Sequence, residues 1–198
     1  MADSPIAQDS LPPHAEIGHP PGQPLWVFAF GSLMWNPGFP YVSRHPAVVR
    51  GWHRSFCIYS HRHRGTPEVP GAVLGLDRGG ACRGIAYQVA GDKAEATLAY
   101  LWEREMMNRV YIPRFVTAVL PSGLGTVQAL AFIADRGHRQ YCGRLGTEGT
   151  AALIRQGVGI SGRGVDYLHS LLDHLGELGI RDRGLEELAR HVDGKPAT

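Results

Sequence analysis

Cysteine is scarce in this chain. Among 198 residues there are three, Cys57, Cys82 and Cys142, widely spaced and without a Cys-x-x-Cys pair. An odd number at such spacings argues against a disulfide framework and against a zinc ribbon. A reducing, cytoplasmic setting is the expectation that follows. Long apolar runs are missing too. No stretch of about 18 apolar residues is available to cross a bilayer, so no membrane partner is expected. The opening residues, MADSPIAQDSLPPHAEIGHPPGQP, hold no apolar segment of the kind a signal peptide carries. Charge is nearly balanced at +2, and the 20 Lys and Arg are mostly Arg and scattered. That pattern gives no ground for a nucleic-acid partner. Neither a His-Glu-x-x-His motif nor an internal repeat occurs.

What is present is a globular composition, 43% hydrophobic and 19% charged, suited to one domain with a real core. Six of the 14 prolines fall within residues 1–24, which read as a disordered N-terminal tail. The expected domain spans 25–192, and 193–198 form a C-terminal tail. Leu25–Phe30 reads as a buried strand bounded by Pro24 and Gly31. Shorter strands follow at Ala47–Gly51, Arg54–Tyr59, Ala72–Leu76 and Gly84–Val89, with Asp77-Arg-Gly-Gly80 as a tight connection. The polar stretch HRHRGTPEVPG between Tyr59 and Ala72 is a long loop of the kind that carries function. Then the period changes. Asp92 is placed to cap a helix with Glu95 three residues on, and Ala94, Leu98, Leu101 and Trp102 recur at helical spacing. Pro113 limits that helix. Strands Arg114–Leu120 and Thr126–Ala134 come next, then helices Thr147–Gln156, Val165–Leu178 and Arg183–His191. This order implies an α+β fold: a small mixed β-barrel-like sheet with flanking helices.

Two positions stand out chemically. On the Asp92 helix, Leu98, Leu101 and Glu105 share one stripe, while Glu103 points to solvent. A carboxylate on an apolar face in the last helical turn is raised in pKa by desolvation and by the negative end of the helix dipole. Such a group makes a good general base at neutral pH. The plainer reading, an ion pair with Arg104, Arg109 or Arg114, is the one periodicity alone favours. At Gly31-Ser32 a glycine ends a buried strand, so backbone amides can face a ligand as a small anion-binding nest. An ordinary strand-ending turn is again the plainer alternative. Ser32 lacks the Gly-x-Ser-x-Gly frame of a hydrolase nucleophile. His61 and His63 suit a polar surface better than a metal site. The run Gly157-Val-Gly-Ile-Ser-Gly-Arg-Gly164 lacks the Lys-Ser/Thr ending of a phosphate loop and reads as a connector, with Tyr167 at the following helix start as a candidate site residue. Met106-Met107 reads as a gap-filling core patch.

In order, the pieces Trp26–Phe39, Val49–Phe56, Arg64–Pro67, Pro70-Gly71, Gly84–Tyr87, Tyr100–Met106, Tyr111–Arg114 and Ser161–Leu168 resemble the ChaC-like γ-glutamylcyclotransferases over roughly residues 25 to 178. The resemblance implies a γ-glutamylcyclotransferase-like fold and cleavage of glutathione to 5-oxoproline and cysteinylglycine. No metal, no cofactor and no obligate protein partner are implied; the partner is the small-molecule substrate. It further implies Glu105 as acid/base, Gly31, Ser32 and Leu33 as the loop that binds the γ-glutamyl group, and Tyr167 as a pocket residue. Phe30 and Tyr111 complete the candidate substrate site, together with Arg64 or another basic residue of the 61–71 loop, taken on charge alone to meet a glutathione carboxylate. A non-catalytic module of the same fold that binds γ-glutamyl compounds is the alternative. Phe30 stands where the family commonly has Tyr, Arg109 and Val110 stand where small residues are common, and Gly164 replaces a more usual Asn. These departures bear on substrate preference more than on fold.

Overall fold

A computed structural model describes residues 13–194 apart from 122 and 144. Five strands close a barrel: β1 (Leu25–Ala29), β2 (Ser43–Ser60), β3 (Gly71–Val89), β4 (Tyr111–Val119) and β5 (Thr126–Ala134). Their order is β1-β3-β2-β4-β5, and β5 returns beside β1 in parallel, with Trp26 opposite Ala129 and Val27 opposite Leu130. All other neighbours within that order are antiparallel. Closure removes the edge strands that would otherwise template aggregation.

Alternation along the strands divides the core in two. Phe28, Ala86, Ala129 and Ala131 point to one cluster with Ala47, Val49, Leu76 and Ile133. Their neighbours Val27, Tyr87, Leu130 and Phe132 join the cluster that the helices cover. Both faces of β1 are therefore apolar, which is why it reads as a continuous hydrophobic run. The covering helices are α1 (Gly91–Glu105), α2 (Gly146–Gln156), α3 (Gly164–Glu177) and α4 (Arg183–Val192).

Several boundaries differ from the sequence expectation. The four short strands before α1 are two long ones. Asp77-Arg-Gly-Gly80 is no turn: Asp77 and Arg78 pair with His53 and Trp52, and pairing resumes at Arg50 opposite Ala81. The register shift falls where Gly51, Gly79 and Gly80 adopt positive φ of 82°, 106° and 64°. Those glycines bulge and bend one long ribbon, which local reading mistakes for a hairpin end. Helix α1 is capped at Ala90 with no side-chain hydrogen bond, so Asp92 lies in the first turn and is not the cap. Strand β4 starts at Tyr111, two residues before Pro113. Two short strands, β6 (Val158–Gly159) and β7 (Gly162–Arg163), form a hairpin inside the glycine-rich connector. Part of the proline-rich tail is also built into the fold. Pro13–Ile17 is a 3-10 turn, Ile17 packs on the main core, and the His19 ring stacks on Phe115 with centroids 6.3 Å apart. Of the two expected tails, 1–12 and 195–198 lie outside the described residues. Among the described residues no helix is long and apolar enough to cross a membrane.

Candidate active site

Where β1 ends, the chain makes a 3-10 turn, Ser32–Met34, behind Gly31. Within it the Met34 amide donates to the Gly31 carbonyl at 2.8 Å, and the Asn36 amide to the Ser32 carbonyl at 2.9 Å. The opening amides of such a turn, those of Ser32 and Leu33, have no partner inside it. The carbonyls are tethered from behind. Arg54, 5% exposed, donates from Nε to the Phe30 carbonyl at 2.5 Å and binds the Asp182 carboxylate at 2.9 Å. The buried Tyr87 hydroxyl donates to the Met34 carbonyl at 2.8 Å. A methyl group at Gly31 would press on Leu74 Cδ2 at 3.1 Å. The turn is thus a rigid shelf, held by groups that do not compete for its front face.

Opposite this shelf stands the last turn of α1. Its stripe is as expected: Leu98 and Leu101 are buried, Glu103 is exposed and Glu105 is half-buried. The side chain of Glu105 keeps about a fifth of its surface open, and its Oε1 lies 3.4 Å from Arg104 Nε. Burial pushes the Glu105 carboxyl above its ordinary value of 4.5, and the Arg104 charge opposes this only in part. The plain ion-pair reading and the raised-carboxylate reading therefore both hold, for the same residue.

The sequence marks Arg104 only as a possible ion-pair partner of Glu105; its part in the shelf shows in the structure alone. Its Nη1 donates to the Asn36 carbonyl and to the Tyr100 hydroxyl, each at 2.8 Å, and its Nη2 to Ser32 Oγ at 3.0 Å. One side chain thereby joins the shelf to the acidic helix end. Only a fold that brings residue 32 beside residue 104 displays this role; in the sequence Arg104 is one of many arginines.

A cavity of about 330 Å³ lies between shelf and helix, within the size range of small-molecule sites. All eight expected site residues line it: Phe30, Gly31, Ser32, Leu33, Arg64, Glu105, Tyr111 and Tyr167. Tyr111 donates to the Leu74 carbonyl at 2.8 Å, and its hydroxyl is held well above 10 by burial and then by the nearby Glu105 charge. Tyr167, in the first turn of α3, is raised to about 12 by burial and again by Glu105. Its ring meets Phe56 edge-on with centroids 5.6 Å apart, and the Arg64 guanidinium sits 4.9 Å above it. Among the described residues its hydroxyl has no hydrogen-bond partner. Both phenols stay protonated at neutral pH; the Tyr111 proton is committed to the Leu74 carbonyl, and that of Tyr167 can be donated to an anionic oxygen. Val110 lines the cavity, whereas Arg109 turns away and lies 5.7 Å from the Trp102 ring. Met106 is in the core, but Met107 is 58% exposed at the cavity rim and is not part of a core patch.

The glycine-rich connector packs backbone against backbone on the 62–65 loop. The Ile160 and Ser161 amides donate to the Arg62 and His63 carbonyls at 2.9 and 3.0 Å. A side chain on Gly71 or Gly157 would collide with the Arg64 carbonyl, and one on Gly159 with that of Arg62. Close approach, not phosphate binding, explains these glycines. Gly164 falls under the same rule, since a Cβ there would lie 2.7 Å from the Ile154 carbonyl. His63 meets Ser161 Oγ at 3.0 Å, and burial followed by the Arg62 and Arg64 charges lowers its pKa below 6.5. Among the described residues no group of three or more His, Cys, Asp or Glu gathers in metal-binding geometry.

Comparison with known proteins adds an independent line. The model of the ChaC-like protein family matches residues 25–195. The glutathione-specific γ-glutamylcyclotransferase of Escherichia coli is 38% identical over 83% of this chain and 71% of its own length. The human glutathione-specific γ-glutamylcyclotransferase 1 is 34% identical over 96% of this chain and 88% of its own. Among solved structures, a γ-glutamylcyclotransferase specific to glutathione from yeast superposes with a TM-score of 0.78 at 23% identity, covering 86% of this chain and 96% of that one. At that identity the likeness speaks for the fold.

Proposed function

The chain belongs to the ChaC-like protein family, and from that premise we infer that it is a glutathione-specific γ-glutamylcyclotransferase. It is a carbon–nitrogen lyase that converts glutathione into 5-oxoproline and cysteinylglycine. One observation in the site supports this most: a carboxyl raised by burial faces a backbone shelf across a cavity of small-molecule size.

The reaction is internal to the substrate. The α-amine of the γ-glutamyl residue attacks its own γ-carbonyl carbon and closes a five-membered ring. A well-oriented intramolecular attack has an effective concentration of about 10⁵ M or more. What remains for the protein is to fold the substrate, carry protons from the α-nitrogen to the leaving nitrogen and stabilise one oxyanion. Glu105 takes a proton from the α-ammonium, freeing the lone pair for attack. The electrons of the C=O bond move to oxygen. When they return, the bond to the cysteinyl nitrogen breaks, Glu105 gives that proton to the departing nitrogen, and the freed carboxylate then passes the ring nitrogen's second proton to the released amine, so that the lactam keeps a single N–H. No water is consumed. The Ser32 and Leu33 amides hold the γ-glutamyl group, and Tyr167 donates to the developing oxyanion. One such donor contributes about 3 kcal/mol to the transition state. A carboxyl raised toward neutrality suits a proton that must be accepted and then released.

A cytoplasmic location belongs to the same proposal: the three cysteines are free and buried, as in a reducing compartment where glutathione abounds. The test is to incubate the pure protein with glutathione at neutral pH and to assay 5-oxoproline and cysteinylglycine by mass spectrometry. Equal amounts of the two are expected. Glutathione bound without either product would mean a binding module instead.

A further inference from the structure

We propose that Arg62 recognises the glycyl carboxylate of glutathione and so distinguishes the tripeptide from γ-glutamyl compounds that lack that charge. This rests on the cyclotransferase reading above. Glutathione brings three charges that need partners: an α-ammonium, an α-carboxylate and, at the far end, the glycyl carboxylate. The first goes to Glu105, and the second goes with the γ-glutamyl group to the shelf. The third must be met at the cavity mouth.

The cavity lining contains three guanidinium groups, those of Arg62, Arg64 and Arg104. Two are already committed. Arg104 is bound to Ser32, Asn36, Tyr100 and Glu105. Arg64, the residue picked on charge alone, donates to the Ser161 and Arg163 carbonyls and covers the Tyr167 ring. Its charge serves to hold the β6–β7 hairpin and the tyrosine. Arg62 differs. Its guanidinium touches Met107 Sδ at 3.7 Å, a weak acceptor, and it has no carboxylate partner among the described residues. Its main chain is nevertheless fixed, because the Ile160 amide donates to its carbonyl at 2.9 Å. A charge with no anionic partner among the described residues, on a pinned backbone at a cavity rim, is suited to an incoming anion. His63 supplies no competing charge, since its pKa is lowered.

The reach is consistent. From the γ-carbonyl to the glycyl carboxylate the substrate is a dipeptide, about 7 Å when extended. Met107, which Arg62 touches, follows Glu105 by two residues, and all three line the same cavity. A substrate seated on Glu105 therefore puts its far carboxylate within the sweep of the Arg62 side chain.

The experiment compares kcat/KM for glutathione and for its glycyl monoethyl ester, in the wild type, Arg62→Gln and Arg62→Lys. The wild type is expected to prefer the free acid by about tenfold, as a charge-assisted hydrogen bond would give. Arg62→Gln loses that preference through KM, with kcat and ester turnover unchanged, and Arg62→Lys keeps part of it. Unchanged ester turnover also shows that the variant is folded. A wild type that treats acid and ester alike, or an Arg62→Gln enzyme that keeps the full preference, overturns the assignment and leaves the cyclotransferase reading intact. A wild type that releases 5-oxoproline from neither compound removes both.

Discussion

Replacing Arg104 with Gln should slow the enzyme and shift its pH dependence in a set direction. Three hydrogen bonds of normal length are lost, to Ser32 Oγ, the Asn36 carbonyl and the Tyr100 hydroxyl. Each is worth about 1 kcal/mol net in a partly solvated setting. If most of this holds the shelf in its reactive position, the transition state loses about 2 to 3 kcal/mol, or roughly 30- to 150-fold in kcat/KM. The second effect is electrostatic. Burial raises Glu105 and Arg104 holds it partly down. Without the guanidinium the carboxyl rises further, so the acid limb of the kcat/KM profile must move to higher pH. A merely structural residue would lower the rate without moving the limb. The assay is 5-oxoproline release from glutathione between pH 4 and 9, with Ser32→Ala as a control that loses one contact and about fivefold. An acid limb that stays in place, or moves down, in Arg104→Gln would refute the reasoning.

Other substitutions separate chemistry from architecture. Tyr167→Phe removes a hydroxyl without a partner among the described residues, so kcat/KM should fall about 10²-fold, the scale of one lost oxyanion donor, with the melting temperature unchanged; a lost melting transition would show the hydroxyl to be structural. Gly71→Ala puts a methyl group into the Arg64 carbonyl, and should destabilise by about 2 kcal/mol or more while raising KM, read by thermal melting and kinetics. Asp77 is buried, and its carboxyl accepts from Arg136, Tyr141 and the Arg78 amide at 2.6 to 2.8 Å. Burial pushes this carboxyl up, but those hydrogen bonds outweigh it and hold the group below 3.8. A lowered carboxylate stabilises above its unfolded pKa, and that stability is lost as pH falls through the folded value. Asp77→Asn should therefore melt earlier at neutral pH, with the gap closing below pH 3.8.

How far the sequence led depends on the range of the interactions. Strand β1, helix α1 and the three late helices have local signatures, an apolar run or a 3.6-residue stripe, and stand close to where those signatures put them. The β2–β3 ribbon does not. Its bulge at Gly51, Gly79 and Gly80 can be recognised only by pairing residues far apart in the chain, so local turn chemistry was misleading. The same holds for the site. Gly31, Ser32 and Glu105 carry marks of their own: a glycine after a buried strand, and an acid on an apolar stripe. Arg104 and Arg54 act through carbonyls of residues 24 to 68 positions away, and no local pattern marks such arginines. Arg64 was chosen on charge, but that charge is engaged within the protein.

The central claim is that Glu105 moves the proton, while its contact with the α-ammonium is only one of several that hold the substrate. Titration calorimetry of glutathione binding, paired with 5-oxoproline release, for the wild type and Glu105→Gln tests it most directly. The account predicts binding within a few-fold of wild type and turnover reduced by about 10² or more, the scale of lost general acid–base catalysis. A Glu105→Gln protein that binds glutathione and releases 5-oxoproline at close to the wild-type rate would contradict it.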